Sequence, residues 1–192
     1  MARSATIDED ELIARLTRVF RDIGYAGASL ALLSEATGLK RASLYHRFPG
    51  GKEQMAREVL ERAKEWLETH VLAPLDSNEP PEKRIDAMIA NLDDFYAGGK
   101  EACLLNLLAS GRGGEGQFRE IVAQAFERWI TALAGTLREM GFDEETAYRR
   151  ARLAVALVEG SLVVARGTGD TAPFRDCLVS LRTEVLVPIA GD

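Results

Sequence analysis

The sequence predicts an all-α chain of about nine helices, with three short ones forming an N-terminal unit and longer ones a second unit. Three observations predict it. Apolar residues recur at intervals of three and four along almost every segment, the period of a helix buried on one face. No segment keeps the every-second-residue alternation of a half-buried strand. Glycine, proline and short polar stretches cut the chain into pieces of helical rather than strand length. The 192 residues are 46% hydrophobic and 28% charged, a globular balance with room for one domain or two small ones.

The first helix carries Leu12, Ile13, Leu16, Val19, Phe20 and Ile23 on one side. Thr6-Ile7-Asp8-Glu9 reads as a capping box at its start and Gly24 as its stop. A short block at 29–37 is capped by Ser29 and ended by Gly38. A second, at 40–48, stops before Pro49-Gly50-Gly51. A long helix from Lys52 runs to about Ala73-Pro74, followed by a polar, proline-bearing linker at 76–81. The next helix spans 82–96 and ends at Gly98-Gly99. Residues 102–110 form a short apolar helix, expected to be buried, and 111–116 a glycine-rich loop. Helices at 117–140, 144–166 and 174–187 complete the chain. The division is drawn at residue 50, giving domains 1–50 and 51–192, with the helix from Lys52 as the link.

Several function classes are excluded. Two cysteines, Cys103 and Cys177, make no disulfide framework and no C-x-x-C zinc pair, which points to a reducing compartment. The N-terminus runs straight into Asp8-Glu9-Asp10-Glu11 with no apolar segment for a signal peptide, and no stretch reaches the ~18 apolar residues of a membrane span. A cytoplasmic protein without a membrane partner is expected. The only histidines, His46 and His70, lack the Glu-x-x-His spacing of a helical di-metal site. No G-x-S-x-G elbow surrounds any serine. Gly111-Arg-Gly113-Gly-Glu-Gly116 fits a dinucleotide fingerprint in letters only, because an apolar helix precedes it where the chemistry needs a strand. No catalytic residue, metal or cofactor is expected, and lone cysteines in apolar helices are read as packing residues rather than redox sensors.

The net charge of −6 conceals an uneven distribution. Residues 1–65 hold 11 basic and 10 acidic residues, whereas the remainder hold 13 and 20. Between Glu35 and Glu53 there is no acid, while Lys40, Arg41, Arg47 and Lys52 are basic and His46 stands among them. Blocks of one sign bear on partners, and this one bears on an anionic partner. The same stretch has the spacing of a helix-turn-helix, two short helices around a turn at Gly38. Ser34 is small where the two helices approach, and Leu33, Leu39 and Leu44 are placed to bury against Leu16, Phe20 and Ile23. The second helix then offers Lys40, Arg41, Ser43, His46 and Arg47 as donors to phosphates and base edges. The alternative on these residues alone is a solvated basic face on an ordinary helical hairpin.

The stretch from Ser29 through Gly38, Leu44-Tyr45-His46-Arg47-Phe48 and Lys52-Glu53 resembles the DNA-binding signature of the TetR-like transcriptional regulators. The aromatic pair Tyr45 and Phe48, followed by Lys52-Glu53 opening a helix, is its specific part, and the likeness covers about residues 8–55. Ala102-Cys103-Leu104-Leu105-Asn106 resembles the branch that contains the lincomycin-resistance repressor. The resemblance implies double-stranded operator DNA as partner, with Ser29, Tyr45 and Lys52 on phosphates and Arg41, Ser43 and His46 facing bases. It also implies repression relieved by a small-molecule effector. Lys40 stands where the family often has a Ser or Thr cap and Arg47 where a His is common, and both add positive charge.

In the second domain, Ala147, Ala151, Ala154, Val158, Ser161 and Ala165 share one face of a helix, with Leu153, Leu157 and Val164 elsewhere around it. A helix apolar nearly all round needs cover on both sides. A second copy of the chain is the economical cover, with the small residues permitting close approach, so a homodimer is expected. Trp66, Met88, Phe95, Tyr96, Phe118, Phe126 and Trp129, with Cys103 and Asn106, are the candidates to line an effector cavity, an apolar site with a few polar groups. The alternative from another class is a helical small-molecule carrier or enzyme whose basic segment is incidental.

Overall fold

The computed structural model describes residues 7–109 and 118–186. Among the described residues there is no strand, and the chain forms nine helices. They are α1 (Glu9–Gly27), α2 (Leu30–Thr37), α3 (Arg41–Arg47), α4 (Gly51–Trp66), α5 (Pro81–Phe95), α6 (Leu104–Ala109), α7 (Arg119–Glu139), α8 (Glu144–Thr168) and α9 (Ala172–Ser180). The π-helical Leu67–Leu72 and a last turn, Ala73–Leu75, extend α4, and a π-helical turn, Leu181–Val185, extends α9. The glycine-rich segment 111–116 and the predicted end of the last helix at Val187 lie outside the described residues.

The contacts group the chain into two compact units. One takes in the described residues up to Ala63 and those of Leu104–Arg119; the other takes in Lys64–Cys103 and the described residues from Glu120 onward. The first therefore includes α6, a segment that lies far beyond α1–α3 in the sequence.

In the first unit, α1 buries Leu12, Ile13, Leu16 and Phe20, the stripe its sequence period predicts. Each such side chain removed from water contributes about 1.5–3 kcal/mol before entropy is counted. Two details depart from the sequence reading. Ile23 is 44% exposed, because the helical path breaks one residue later, at Gly24 (φ 68°, ψ 178°). Asp8 is the N-cap of α1 and makes no side-chain capping bond, so the expected capping box is not formed around it; Thr6 lies outside the described residues. Both α2 and α6 pack on α1, and Tyr25 meets Phe118 edge to face at 5.2 Å.

In the second unit, α5 buries Ile85, Met88, Ile89 and Leu92, and α7 buries Val122, Trp129, Leu133 and Leu137. The tightest approach is at Gly99 (φ 91°), where a Cβ would stand 2.8 Å from the Cβ of Phe174, so only glycine fits. The longest helix, α8, packs on α9 and corrects the sequence reading of its faces. Its small-residue face points into its own unit, with Ala154 2% and Val158 1% exposed. The uncovered face is the bulky one, with Leu153 46%, Val163 56% and Val164 49% exposed. Small residues let α8 sit close to its own neighbours, so they are spent inside the chain and are not free to receive a second copy.

Candidate nucleic-acid interface

One backbone conformation builds the turn between α2 and α3. Gly38 holds φ 70° and ψ 7°, the left-handed region that glycine adopts without steric cost. On the other side of α2, Ser29 Oγ accepts from the Leu32 N–H at 3.3 Å, the N-cap the sequence predicts. The Thr37 hydroxyl donates to Leu33 O at 2.7 Å and the Ser34 hydroxyl to Leu39 O at 2.5 Å, so the polar groups nearest the turn are satisfied locally. Arg15 Nη1 donates to Thr37 O at 3.4 Å, tying the end of α2 to α1. Leu33 and Leu44 are fully buried, while Leu39 is half-buried.

With its apolar side so engaged, α3 turns its polar side outward. Lys40, Arg41, Tyr45 and His46 are exposed, and Ser43 is half-buried. Seven residues at 1.5 Å each make a helix about 10 Å long, which suits a major groove about 12 Å wide. Lys40 is the N-cap position of α3, but its ammonium has no acceptor with which to cap the helix, and the side chain is exposed. The other predicted contacts are held differently. Arg47 pairs with Glu9 and donates to Ile7 O at 3.2 Å. The Lys52 ammonium donates to Tyr25 O at 2.9 Å and stands 4.3 Å from the centre of the Tyr25 ring. Ser29 is exposed while it caps α2. A phosphate drawing on Arg47 or Lys52 would replace these internal partners, whereas one drawing on Lys40 or Arg41 meets an exposed side chain.

The predicted effector residues separate into two sets. Trp66, Met88, Tyr96, Cys103, Phe126 and Trp129 belong to the second unit, while Asn106 and Phe118 belong to the first. Met88, Tyr96, Cys103 and Trp129 are buried, and Trp66 and Phe126 are half-buried. An aromatic ladder runs through the second unit. Trp66 stacks between His70 and Phe95, with ring centres 4.5 and 3.8 Å away; Phe95 meets Tyr96 at 4.9 Å, and Tyr96 meets Phe174 at 5.8 Å. Two open clefts mark the same unit. One of about 460 Å³ lies among Leu75, Arg84, Arg128 and Glu139, and the other, of about 430 Å³, lies among Ile89, Arg175 and Arg182. Neither is lined by any of the predicted effector residues.

Two buried arginines and one buried carboxyl group of this unit escaped the sequence reading. Arg84 donates to Leu75 O at 2.9 Å and pairs with Glu139, whose carboxyl the bond from the guanidinium holds below the usual range. Arg150 donates to Val185 O at 2.7 Å and lies over the Phe142 ring. Glu159 has both carboxyl oxygens buried, and burial pushes its carboxyl up to about 7 against the opposing hydrogen bond of the Cys103 thiol. The signal for Glu159 was present: it is a lone acid between Leu157-Val158 and Leu162-Val163-Val164 in a helix otherwise apolar there.

The chain compares with known proteins along both parts. Residues 12–59 match the family of bacterial regulatory proteins of the tetR type, and residues 81–178, half of the chain, match the C-terminal domain of LmrA/YxaF-like transcriptional regulators. The chain belongs to the TetR family. Its helix-turn-helix is a DNA-binding element, and it is a transcriptional regulator in a family of regulators rather than of enzymes. It is 26% identical to the HTH-type transcriptional regulator LmrA of Bacillus subtilis, over 86% of this chain and 89% of that one. It is 25% identical to the HTH-type regulator YxaF of the same organism, over 95% and 96%. The crystal structure of a TetR regulator from Legionella pneumophila has the same fold, with a TM-score of 0.80 at 22% identity over 95% of this chain and 100% of that one. A TetR-family regulator from Agrobacterium tumefaciens gives 0.78 at 23% identity over 93% and 97%. Among the described residues no helix is long and apolar enough to cross a membrane.

Proposed function

We propose that this regulator is a cytoplasmic homodimeric repressor, whose head (residues 1–50) grips operator DNA and whose body (51–192) releases it when a small, largely apolar effector binds. The observation that carries the reading is the α2–turn–α3 element, with Gly38 in the left-handed region and Lys40, Arg41, Tyr45 and His46 outward on an acid-free stretch. Lys40, Arg47, Lys52, Ser29 and Tyr45 hold phosphates, and Arg41, Ser43 and His46 face base edges. The two heads of a dimer reach half-sites about 34–36 Å apart. The exposed Leu153, Leu157, Val163 and Val164 of α8 support the dimer, since a face of this kind is ordinarily covered by a partner.

The effector acts through α4. This helix begins at Gly51, four residues after the last of α3, and widens into a π-helical segment at Leu67–Leu72 beside the Trp66 end of the aromatic ladder. Segments of that kind are frequent at functional sites and offer a register that can change. An effector that prefers one setting of α4 by about 1.4–2.7 kcal/mol lowers operator affinity tenfold to a hundredfold.

The test is binding of the purified protein to DNA from upstream of its own gene, measured by fluorescence anisotropy. Lys40→Ala lowers affinity for every sequence and flattens the salt slope, whereas His46→Ala changes the preference among bases. Equal losses on operator and random DNA for both variants overturn the assignment of roles.

A further inference from the structure

The buried charges of the second unit divide by how they are satisfied. Arg84 and Arg150 each donate to main-chain carbonyls at 2.9 and 2.7 Å through Nη1, so each guanidinium is compensated in part from within the chain. Glu159 is different. Both its oxygens are buried, and what reaches them is the weak hydrogen bond of the Cys103 thiol. Around it on α8, Val155, Val158 and Leu162 are buried and apolar. The nearby Cys103 thiol, itself buried, is too weak a donor to replace the hydration a carboxylate loses. A leucine or glutamine would cost less here, because a buried charge without a counter-charge is among the least favourable arrangements in a fold.

The missing group is a positive one. A buried carboxyl whose donor is a thiol is complemented fully by a cation and only partly by a neutral hydrogen-bond donor. The surroundings suit a cation with an apolar frame. The Ala97–Gly99 turn packs against α8, and it follows directly on Tyr96, where the aromatic ladder joins Phe174. Aromatic faces attract cations that have shed their water. We propose that Glu159 is the recognition residue for an effector bearing a cationic nitrogen on an apolar frame. This rests on the reading of the body as an effector-binding domain. It is also consistent with a carboxyl standing near 7, which a bound cation would draw into its charged form.

The test uses permanent cations, benzyltrimethylammonium and its longer-chain homologues, each set against a neutral alcohol of matched size. Calorimetric titrations at pH 7 in buffers of different ionisation enthalpy report both affinity and protons released. The expected result is that cations bind at least tenfold more tightly than their alcohols and expel about half a proton each, since the probe has no proton of its own. Glu159→Gln should abolish both the preference and the proton release. The proposal is overturned if no cation outbinds its alcohol, or if the preference survives in Glu159→Gln. The effector reading fails separately, if no bound probe of either charge alters operator affinity.

Discussion

In the unit that holds α1–α3, the deepest side chains are Leu12, Leu16, Phe20, Leu33 and Leu44, and the cations of α3 stand outside them. In the unit that holds α5, α7 and α8, Arg84, Arg150 and the carboxyl oxygens of Glu159 lie inside. The difference follows from what each has to recognise. A phosphate backbone stays in water, so its reader keeps Lys40, Arg41 and His46 exposed. A small molecule of the proposed kind would be recognised by enclosing it, and the charge that selects it would then have to lie in the interior, as the carboxyl oxygens of Glu159 do.

The largest expected effect tests the head's half of this contrast. The proposed dimer, using Lys40, Tyr45, Arg47 and Lys52 on each side, should make about 6–10 phosphate contacts, and its operator affinity should fall roughly 10³–10⁵-fold between 50 and 200 mM salt. A salt-insensitive affinity would show that the exposed cations are not the grip. Next in size is the cover of α8. Leu157→Arg should convert the dimer to monomer in sedimentation and abolish tight operator binding, because a charge in a desolvated contact costs several kcal/mol. Ala154→Arg, on the buried small face, should instead disrupt the fold itself, which near-ultraviolet circular dichroism separates from dissociation.

A smaller effect concerns the body's interior. The Glu159 carboxyl stands near 7 in the folded chain against 4.5 ordinarily. Between those values the folded chain keeps a proton that the unfolded chain has lost. Its stabilising contribution is therefore complete below about pH 4.5 and is lost as the pH rises through 7, a difference of about 3 kcal/mol. Urea unfolding at pH 5 and pH 8 should show this loss in the wild type and a smaller one in Glu159→Gln. The smallest effect returns to the head. Ser29→Ala removes the cap of α2 and should lower stability by about 1 kcal/mol, read as a shifted urea midpoint with an unchanged slope.

The helices and the DNA-reading head were legible because their signals are local. Ser29 caps, Gly38 takes a conformation that other residues avoid, and the apolar spacing of α1 admits one buried stripe, so neighbours within a few residues settle each point. The faces of α8 were not legible. With Ala147, Ala151 and Val158 on one side and Leu153, Leu157 and Val164 on another, periodicity marks both as apolar, and only packing on α9 decided that the small side goes inward. The same holds for α6, which joins the unit of α1 from far along the chain, and for Asn106 and Phe118, which go with it. Satisfaction of charge was the least visible of all. Arg84, Arg150 and Glu159 look alike as charged letters in amphipathic helices, yet two meet carbonyls contributed by distant turns and one meets none. Sequence determines which residues can bury and which can donate; tertiary structure decides which partners arrive, because those partners come from segments whose distance along the chain carries no record of their distance in space.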